Sequence, residues 1–342
     1  MVYTRRDLGR FALTAVPAAA ALSLPRMAWG APNSKIAGVQ LGVITYSFRQ
    51  GVPKLEIIPD MVKIGLSEVE LMSGDAEAIA GAPVAPAGGG GGGGRGRGAA
   101  GGRGTILTPE QQAAQQAATE ARAKAMAEYQ QAIKTWRAST TPATFQGVRK
   151  QFNDAGIDLR ILCYNMNANT PDDEIDYAFG MAKAMGVKAI SCSSTVTGAK
   201  RVAPFADKYK IVWAGHGHDN TNDPEQFAKP ETFELIMGLS KYIGVNLDIG
   251  HFTAANYDPI PFIQKHHDRI TNLHLKDRKK DHGANLPWGE GDTPIKEVLQ
   301  LLKKEKYDIP ANIELEYAIP EGSDPVTEVS KCYQYAKRSL EA

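Results

Sequence analysis

The sequence lacks the features that several protein classes require. Its three cysteines (Cys163, Cys192 and Cys332) are too few for a disulfide scaffold, and none belongs to a C-x-x-C pair. The 39 Lys and Arg residues nearly balance the 38 Asp and Glu residues, so the formal net charge is +1. Proteins whose main partner is nucleic acid or an anionic membrane usually carry a strong basic excess. We therefore expect neither partner.

Glycine is enriched in one tract of the chain only. Of the 34 glycines, 13 lie between Gly81 and Gly104, and the other 318 residues hold an ordinary share. A tract of Gly, Ala and Pro cannot bury enough apolar surface to order itself, so we predict disorder over 81–104. The sequence Thr108-Pro109-Glu110-Gln111 then predicts the start of a helix over 108–136. Both parts belong to a predicted insertion at about 73–139.

The N-terminal 30 residues have the pattern of an export signal. A twin arginine, Arg5-Arg6, precedes an apolar run from Phe11 to Leu24 and small residues before Ala31. The run is shorter than the roughly 20 residues of a membrane span. We expect residues 1–30 to be a twin-arginine signal peptide, the mature protein to be periplasmic, and no stable membrane anchoring after cleavage. A retained N-terminal anchor helix is the alternative.

Short β-rich runs alternate with amphipathic helical segments after residue 35. No G-x-G-x-x-G follows the first run, which argues against a doubly wound dinucleotide-binding sheet. Eight runs in about 250 residues favour an α/β fold, a (β/α)₈ TIM barrel over 36–342 with the insertion after the second strand. The runs are Val39–Phe48, Glu68–Met72, Leu159–Tyr164, Ala189–Ser193, Ile211–Gly215, Val245–Ile249, Ile270–Leu275 and Asn312–Tyr317.

Three of the helices are predicted to begin with a capping side chain followed by proline. This arrangement supplies an acceptor for the first free N–H groups and a ring that already has helical φ. The pairs are Thr141-Pro142, Asp258-Pro259 and Thr293-Pro294.

Each of the last four predicted strands ends in residue types that commonly bind metals. Four of the chain's seven histidines fall there, at His216, His218, His251 and His274. Alternation on a strand places His216 and His218 on one face, and it points Glu314 and Glu316 together into the barrel. Isolated charges inside a barrel are costly unless they are paired or bound to a metal. A shell of imidazole and carboxylate suits Mn²⁺, Zn²⁺, Co²⁺ or Mg²⁺, whereas a metal-free salt-bridge network is the structural alternative.

Several segments resemble one known family. LGVITYSFR at the first strand, SEVELM at the second, and then LDIGH, NLHLKD and IELEY are similar to the xylose isomerase-like TIM-barrel superfamily of sugar phosphate isomerases and epimerases. The resemblance implies Asp248, His274 and Glu316 as metal ligands, with His216 where the epimerases have a glutamate. It also implies that His251 contacts substrate. The polar groups that it places around the pocket are Tyr46, Glu70, Lys276 and Trp288.

The resemblance implies a divalent-metal-dependent sugar isomerase or epimerase that abstracts a proton α to a carbonyl and forms an enediolate. Glu316, His251 or His218 would move the proton. A metal-bound imidazole at His216 is not free to act as a second base, which leaves room for β-elimination. The alternatives are therefore a dehydratase or a lyase or hydrolase of 3-keto-glycosides on the same barrel, and a non-catalytic periplasmic sugar-binding barrel.

The expected partner is a small, uncharged carbohydrate. No phosphate-cradling glycine loop follows the seventh strand, which argues against sugar phosphates. A DNA-repair nuclease like endonuclease IV shares the expected fold, but it would need more metal ligands and a basic face. The long insertion helix offers a surface for homo-oligomer formation.

Overall fold

The computed structural model describes residues 31–86 and 108–342. Eight parallel strands pair in the ring β2-β11-β8-β7-β6-β5-β4-β3, which closes because β3 pairs with β2. The strands are β1 (Lys35–Ile36), β2 (Val39–Ile44), β3 (Glu68–Met72), β4 (Asp158–Cys163), β5 (Ala189–Ser193), β6 (Val212–His216), β7 (Ile243–Asp248), β8 (Ile270–Leu275), β9 (Asp277–Arg278), β10 (Asn285–Leu286) and β11 (Ala311–Ile313). The predicted (β/α)₈ barrel is confirmed.

Helices surround the barrel between its strands. They are α1 (Ile57–Ile64), α2 (Ser73–Ile79), α3 (Pro109–Ser139), α4 (Pro142–Asp154), α5 (Asp172–Met185), α6 (Val196–Tyr209), α7 (Pro230–Met237), α8 (Ile249–Ala254), α9 (Pro259–His266), α10 (Ile295–Glu305) and α11 (Pro325–Glu341). In the described parts of the chain, no helix has the length and apolar content of a membrane span.

Two of the three predicted helices begin at the predicted proline, and one of them has the predicted side-chain cap. The Asp258 carboxylate accepts a hydrogen bond from the Ile260 N–H at 2.9 Å, and α9 begins at Pro259. Helix α4 also begins at Pro142 with Thr141 as its N-cap, but the Thr141 side chain accepts no capping hydrogen bond; the Thr141 N–H instead donates to Thr144 Oγ1 at 3.1 Å. The prediction for Thr293-Pro294 is wrong, because Pro294 is the cap of α10 and Thr293 Oγ1 instead accepts from the Arg278 N–H.

The segment between β3 and α4 contains two described helices, α2 and α3. Helix α3 begins with a capping box, in which Thr108 Oγ1 accepts from the Gln111 N–H and Gln111 Oε1 accepts from the Thr108 N–H. Most of its residues are exposed, and Ile133 is its buried residue. The predicted signal peptide, residues 1–30, and most of the predicted disordered tract, residues 87–104, lie outside the described residues.

The interior of the barrel is polar, although apolar side chains usually fill such barrels. Apolar residues on the outer faces of the strands pack against the helices, while the inner faces carry buried polar groups. Gly42 makes room for one of them, because a Cβ at this position would overlap Glu68 Oε2. The buried inner residues include Glu68, Glu70, Ser191, His216, Asn246, Asp248, Asn272, His274, Asn312 and Glu314.

Candidate metal centre

Four buried side chains meet at the C-terminal ends of neighbouring strands. His216 ends β6, Asp248 ends β7, His274 lies in β8, and Glu314 follows β11. One donor atom from each lies within 4.8 Å of the donor atoms of the others. Because strand register pairs Asp248 with His274, their side chains reach the same depth. We call these four residues the buried group.

His274 lies between two carboxylates. Its Nδ1 is 2.9 Å from Glu314 Oε2, and its Nε2 is 2.7 Å from Glu70 Oε2. Burial disfavours the charged ring, but the two carboxylates outweigh burial and raise the pKa of His274 well above its usual range. Without a metal ion, His274 is therefore an imidazolium that donates to both.

Lys276 brings a second positive charge to the site. Its ammonium nitrogen lies 2.6 Å from Glu316 Oε2, 2.9 Å from Glu314 Oε2 and 3.0 Å from Asp248 Oδ2. Burial disfavours the charge, but the three carboxylates raise the pKa of Lys276. Lys276 therefore stays an ammonium and partly neutralises the carboxylates.

The LDIGH segment has a structural explanation. Asp248 Oδ1 caps α8 by accepting from the His251 N–H at 2.7 Å, which places the His251 side chain one turn further along. Position 250 requires a glycine, because a Cβ there would overlap Lys276 Cγ. The spacing thus fixes one carboxylate, one imidazole and one ammonium at the same strand end.

Glu70 organises the layer beneath the buried group. Its Oε2 accepts from Asn272 Nδ2 at 2.7 Å and from His274, and its Oε1 accepts from the Ser191 hydroxyl. Glu70 is fully buried and so lies beneath the pocket surface. It orients His274, whereas the sequence analysis expected it to bind substrate.

His216 and Glu314 are held in the charge states that metal ligands require. Burial, together with the charge of His274, holds the pKa of His216 well below its usual range, so its ring is neutral. Burial opposes ionisation of Glu314, but Lys276 and His274 outweigh it and hold its pKa well below the usual range. The ring and the carboxylate are thus ready to ligate.

The other predicted proton carriers lie at the outer edge of the site. The Glu316 side chain is 21% exposed and the His251 side chain 12%. Burial and the neighbouring His251 lower the pKa of His218 to about 4, so its ring is neutral. Burial raises the pKa of Glu316, but Lys276 outweighs it and the pKa is lowered.

Two predicted substrate residues have different surroundings. Burial raises the pKa of the Tyr46 phenol, and the charges that act on it include those of Glu316 and Lys276, so Tyr46 lies near the site. Trp288 instead packs edge-on against Tyr335 of α11, with ring centroids 5.9 Å apart. Among the described residues, we find no contact between Trp288 and the buried group.

The buried group fits a divalent ion. His216 Nδ1 is buried without a hydrogen-bond partner among the described residues, and Asp248 Oδ2 lacks a well-aligned hydrogen bond although Lys276 is close. Buried polar atoms are rarely left in this state. Two imidazoles and two carboxylates form an N/O donor set that suits Mn²⁺, Zn²⁺, Co²⁺ or Mg²⁺.

A sequence profile described as xylose isomerase-like TIM barrel matches residues 116–333. The chain belongs to this family. No curated protein sequence matches the chain.

Solved structures share the fold of this xylose isomerase-like barrel. The probable 3-DHS dehydratase AsbF of Bacillus anthracis is 11% identical, with a TM-score of 0.56 over 87% of this chain and 99% of that chain. A sugar phosphate isomerase/epimerase from Parabacteroides distasonis is 17% identical, with a TM-score of 0.52 over 89% and 97%. The IolI protein, whose structure contains a zinc atom, is 11% identical, with a TM-score of 0.53 over 89% and 96%.

Sequence reasoning missed part of the site of this xylose isomerase-like barrel. It did not single out Asp219 and Arg278, which are 3.2 Å apart and both contact the His251 ring. Asp219 lies three residues after the end of β6, and Arg278 lies in β9, three residues after the end of β8. Their positions just beyond strands that end in candidate ligands were the available signal.

Proposed function

We propose that the protein is a divalent-metal-dependent sugar isomerase or epimerase that abstracts a proton α to a carbonyl. The observation that carries this proposal is the buried group, with Lys276 and Glu316 beside it at the C-terminal strand ends. This end of a TIM barrel is where catalytic groups lie. The sugar phosphate isomerase/epimerase among the structural relatives supports the same reaction class.

His216, Asp248, His274 and Glu314 would hold the ion. When bound, it would polarise the carbonyl and adjacent hydroxyl of a sugar. Ligation by His274 requires a free ring nitrogen, so the proton that faces the ion must leave. Glu70 then keeps the opposite side of the ring oriented, as carboxylates commonly do for histidine ligands.

Glu316 is the base in this proposal. Its lowered pKa keeps it ionised at neutral pH, and it is the most exposed carboxylate that contacts Lys276. It would take the proton from the α-carbon, while the electron pair of the C–H bond moves to the carbonyl oxygen. Return of that proton from Glu316 to the neighbouring carbon would give isomerisation, and protonation of the same carbon by solvent on the other face would give epimerisation.

Lys276 would stabilise the negative charge that develops on the substrate oxygen. Its ammonium is buried and fixed by three carboxylates, so it acts without reorganising. His251 Nε2 lies 3.1 Å from the Lys276 nitrogen and 3.9 Å from Glu316 Oε2, which places it to relay a proton. His218 lies beside His251, with ring centroids 5.2 Å apart.

An uncharged carbohydrate is the substrate class that we propose. Glu70, Asp248, Glu314 and Glu316 bring four carboxylates, whereas Lys276 and a bound divalent ion together would bring three positive charges. The site therefore has no net positive charge to attract a phosphate. The nearby Arg278 guanidinium donates to the Gly283 carbonyl oxygen and to Asp219. We also propose, from Arg5-Arg6 and the apolar run after it, that the protein acts in the periplasm.

Elimination is the second candidate. The fifth barrel strand, β6, supplies His216 and not a glutamate, so a symmetric pair of carboxylate bases is missing. A single base at Glu316 suits removal of one proton followed by loss of a leaving group from the β-carbon, as in a dehydratase or a lyase of 3-keto-glycosides. The dehydratase among the structural relatives supports this alternative.

Proton exchange with solvent tests the proposal. The protein loaded with Mn²⁺ is incubated in D₂O with uncharged aldoses, ketoses and 3-keto-glycosides, and NMR monitors deuterium at the α-carbon. We expect exchange that a chelator abolishes and that Glu316→Gln slows by about 10²-fold or more. The exposed control Glu305→Gln leaves it unchanged. Sugar binding without exchange, and insensitive to chelator, would instead support a non-catalytic sugar-binding barrel.

A further inference from the structure

The His251 ring lies between two cations at the outer edge of the site. Its Nδ1 is 2.6 Å from a terminal nitrogen of Arg278, and its Nε2 is 3.1 Å from the Lys276 nitrogen. A guanidinium and an ammonium can only donate hydrogen bonds, whereas a neutral imidazole carries one N–H and one accepting nitrogen. Only one of these contacts can therefore be a hydrogen bond, and it decides which ring nitrogen holds the proton.

The contact with Arg278 is the fixed one. A guanidinium is planar, so the directions of its N–H bonds are set once the group is held in place. Its other nitrogens donate to the Gly283 carbonyl oxygen, at 2.7 and 3.2 Å, and to Asp219 Oδ2 at 3.2 Å. Among the described residues, His251 Nδ1 is the acceptor that the remaining nitrogen contacts. Because N–H groups cannot face each other at 2.6 Å, Nδ1 is the ring nitrogen without a proton.

Lys276 does not depend on His251 for an acceptor. Oxygens of three carboxylates lie within 3.0 Å of its nitrogen, those of Asp248, Glu314 and Glu316. The ammonium group can turn about its terminal carbon–nitrogen bond, so each of its three protons can face one carboxylate. The proton of the His251 ring therefore lies on Nε2.

The Nε2–H group of His251 is left open to a substrate. Carboxylate oxygens of Glu316 and Asp248 lie 3.9 and 4.0 Å from Nε2, which is too far for a hydrogen bond. Among the described residues, Nε2–H therefore has no acceptor, although the side chain is only 12% exposed. Enclosed donors rarely stay in this state, and a substrate oxygen beside Glu316 would supply the acceptor.

We propose that Arg278 is a positioning residue that keeps the ring proton of His251 on Nε2. The consequence for catalysis rests on the proposed function. When Glu316 removes the α-proton, negative charge develops on the substrate oxygen, and the Nε2–H of His251 donates a hydrogen bond to it. His251 is then a hydrogen-bond donor to the substrate, and Asp219 balances the charge of Arg278 behind it.

NMR of the histidine rings tests the position of this proton without any substrate. The full chain is labelled with ¹⁵N-histidine and observed by long-range ¹H–¹⁵N correlation, without metal and with the diamagnetic ion Mg²⁺. A protonated ring nitrogen and a bare one differ widely in ¹⁵N shift, and the spectrum of His251→Gln assigns the signals. We expect wild-type His251 to carry its proton on Nε2 in both conditions.

Arg278→Met should move the proton to Nδ1. Without the guanidinium, the group beside Nδ1 is Asp219, whose Oδ1 lies 3.6 Å away and can accept only from an N–H. Unchanged signals of His267, which follows α9 and stacks on Tyr307, would show that the variant is folded.

Arg201→Met is the matched control. Arg201 also donates to a carbonyl oxygen and to an aspartate, those of Thr170 and Asp172. In the proton-exchange assay, Arg278→Met should lower kcat by about tenfold or more and leave KM within about threefold, because the Nε2–H bond strengthens as charge develops on the oxygen. Arg201→Met should change neither the His251 signals nor the kinetics.

Three results would overturn the inference. A proton on Nδ1 in wild type, or on Nε2 in folded Arg278→Met, would contradict the role of Arg278. Equal kcat for wild type and Arg278→Met would contradict the hydrogen bond from His251 to the substrate. Absence of metal-dependent exchange in wild type would instead contradict the proposed function and leave the NMR result unaffected, so the two failures are distinguishable.

Discussion

Glu68 is a carboxyl group buried inside the barrel, one inward position before Glu70. Neither of its oxygens has a hydrogen-bond partner among the described residues, and the same holds for Asn312 Oδ1 beside it. Burial raises the pKa of Glu68 well above its usual range, and the charge of Glu70 raises it further. Glu68 is therefore neutral in the folded protein and can donate its proton to Asn312 Oδ1.

Glu68→Gln should make folding stability less sensitive to pH. In wild type, the folded state keeps a proton that the unfolded state releases above the ordinary carboxyl pKa, so stability falls as pH rises from about 5 to about 8. Gln is neutral at every pH and also has a donor for Asn312. The Tm of Glu68→Gln should therefore fall several degrees less over this range.

Thermal unfolding across the same pH range measures this effect. Glu321→Gln, at an exposed loop position, is the control and should follow the wild-type curve. Parallel curves for wild type and Glu68→Gln would show that Glu68 is ionised in the folded state.

Glu314 and Glu316 show how far the site could be predicted from residues alone. Strand alternation predicts that both carboxylates point into the barrel. On a regular strand the two residues would lie about 7 Å apart along the axis, but β11 ends at Ile313 and both carboxylates reach Lys276. Which one reaches the depth of His274 depends on strand register, where Asn312 pairs with His274, and no local pattern encodes register. The structure brings Glu314 into the buried group and bonds Glu316 to Lys276.

At the scale of elements, a small network attaches α3 to the barrel helices. The Arg137 guanidinium donates to both oxygens of Glu77, at 2.7 and 3.1 Å, and the Tyr177 hydroxyl donates to Glu77 Oε1 at 2.9 Å. These residues belong to α3, α2 and α5, and Glu77 is buried. The network therefore fixes the C-terminal end of α3, while most of the helix stays exposed.

Glu77→Gln should destabilise the protein by about 1–3 kcal/mol. It removes the charge that pairs with a partly buried Arg137 and leaves that guanidinium with weaker acceptors. Glu120→Gln, on the exposed part of α3, should cost less than about 0.5 kcal/mol. Denaturant unfolding measures both values, and equal effects of the two variants would contradict a fixing role for Glu77.

The elements themselves were largely predictable. The eight predicted runs overlap all eight barrel strands. Each strand packs its outer face against helices and turns its inner face to the polar interior, so its sequence is rich in β-branched and apolar residues. The error at Thr293-Pro294 has a physical reason. Asp277 accepts N–H groups from Gly289, Gly291 and Thr293, so the loop conformation is set by a residue distant in sequence.

At the scale of the molecule, a closed barrel brings residues from β3 to β11 around one polar interior. Charges that would be costly separately are paired here across strands that are distant in sequence, as for Glu70 and His274. The composition and strand pattern predict this architecture and the end at which the chemistry lies. They do not predict which neighbours neutralise one another, because that depends on closure of the barrel.

The central claim is that Glu314 is a metal ligand and that Glu316 is not. The most direct test is the Mn²⁺ content of wild type, Glu314→Gln and Glu316→Gln after equilibrium dialysis. We predict that wild type and Glu316→Gln bind Mn²⁺ with similar affinity and that Glu314→Gln binds it at least tenfold more weakly. Loss of Mn²⁺ in Glu316→Gln with retention in Glu314→Gln, or no binding by wild type, would contradict the account.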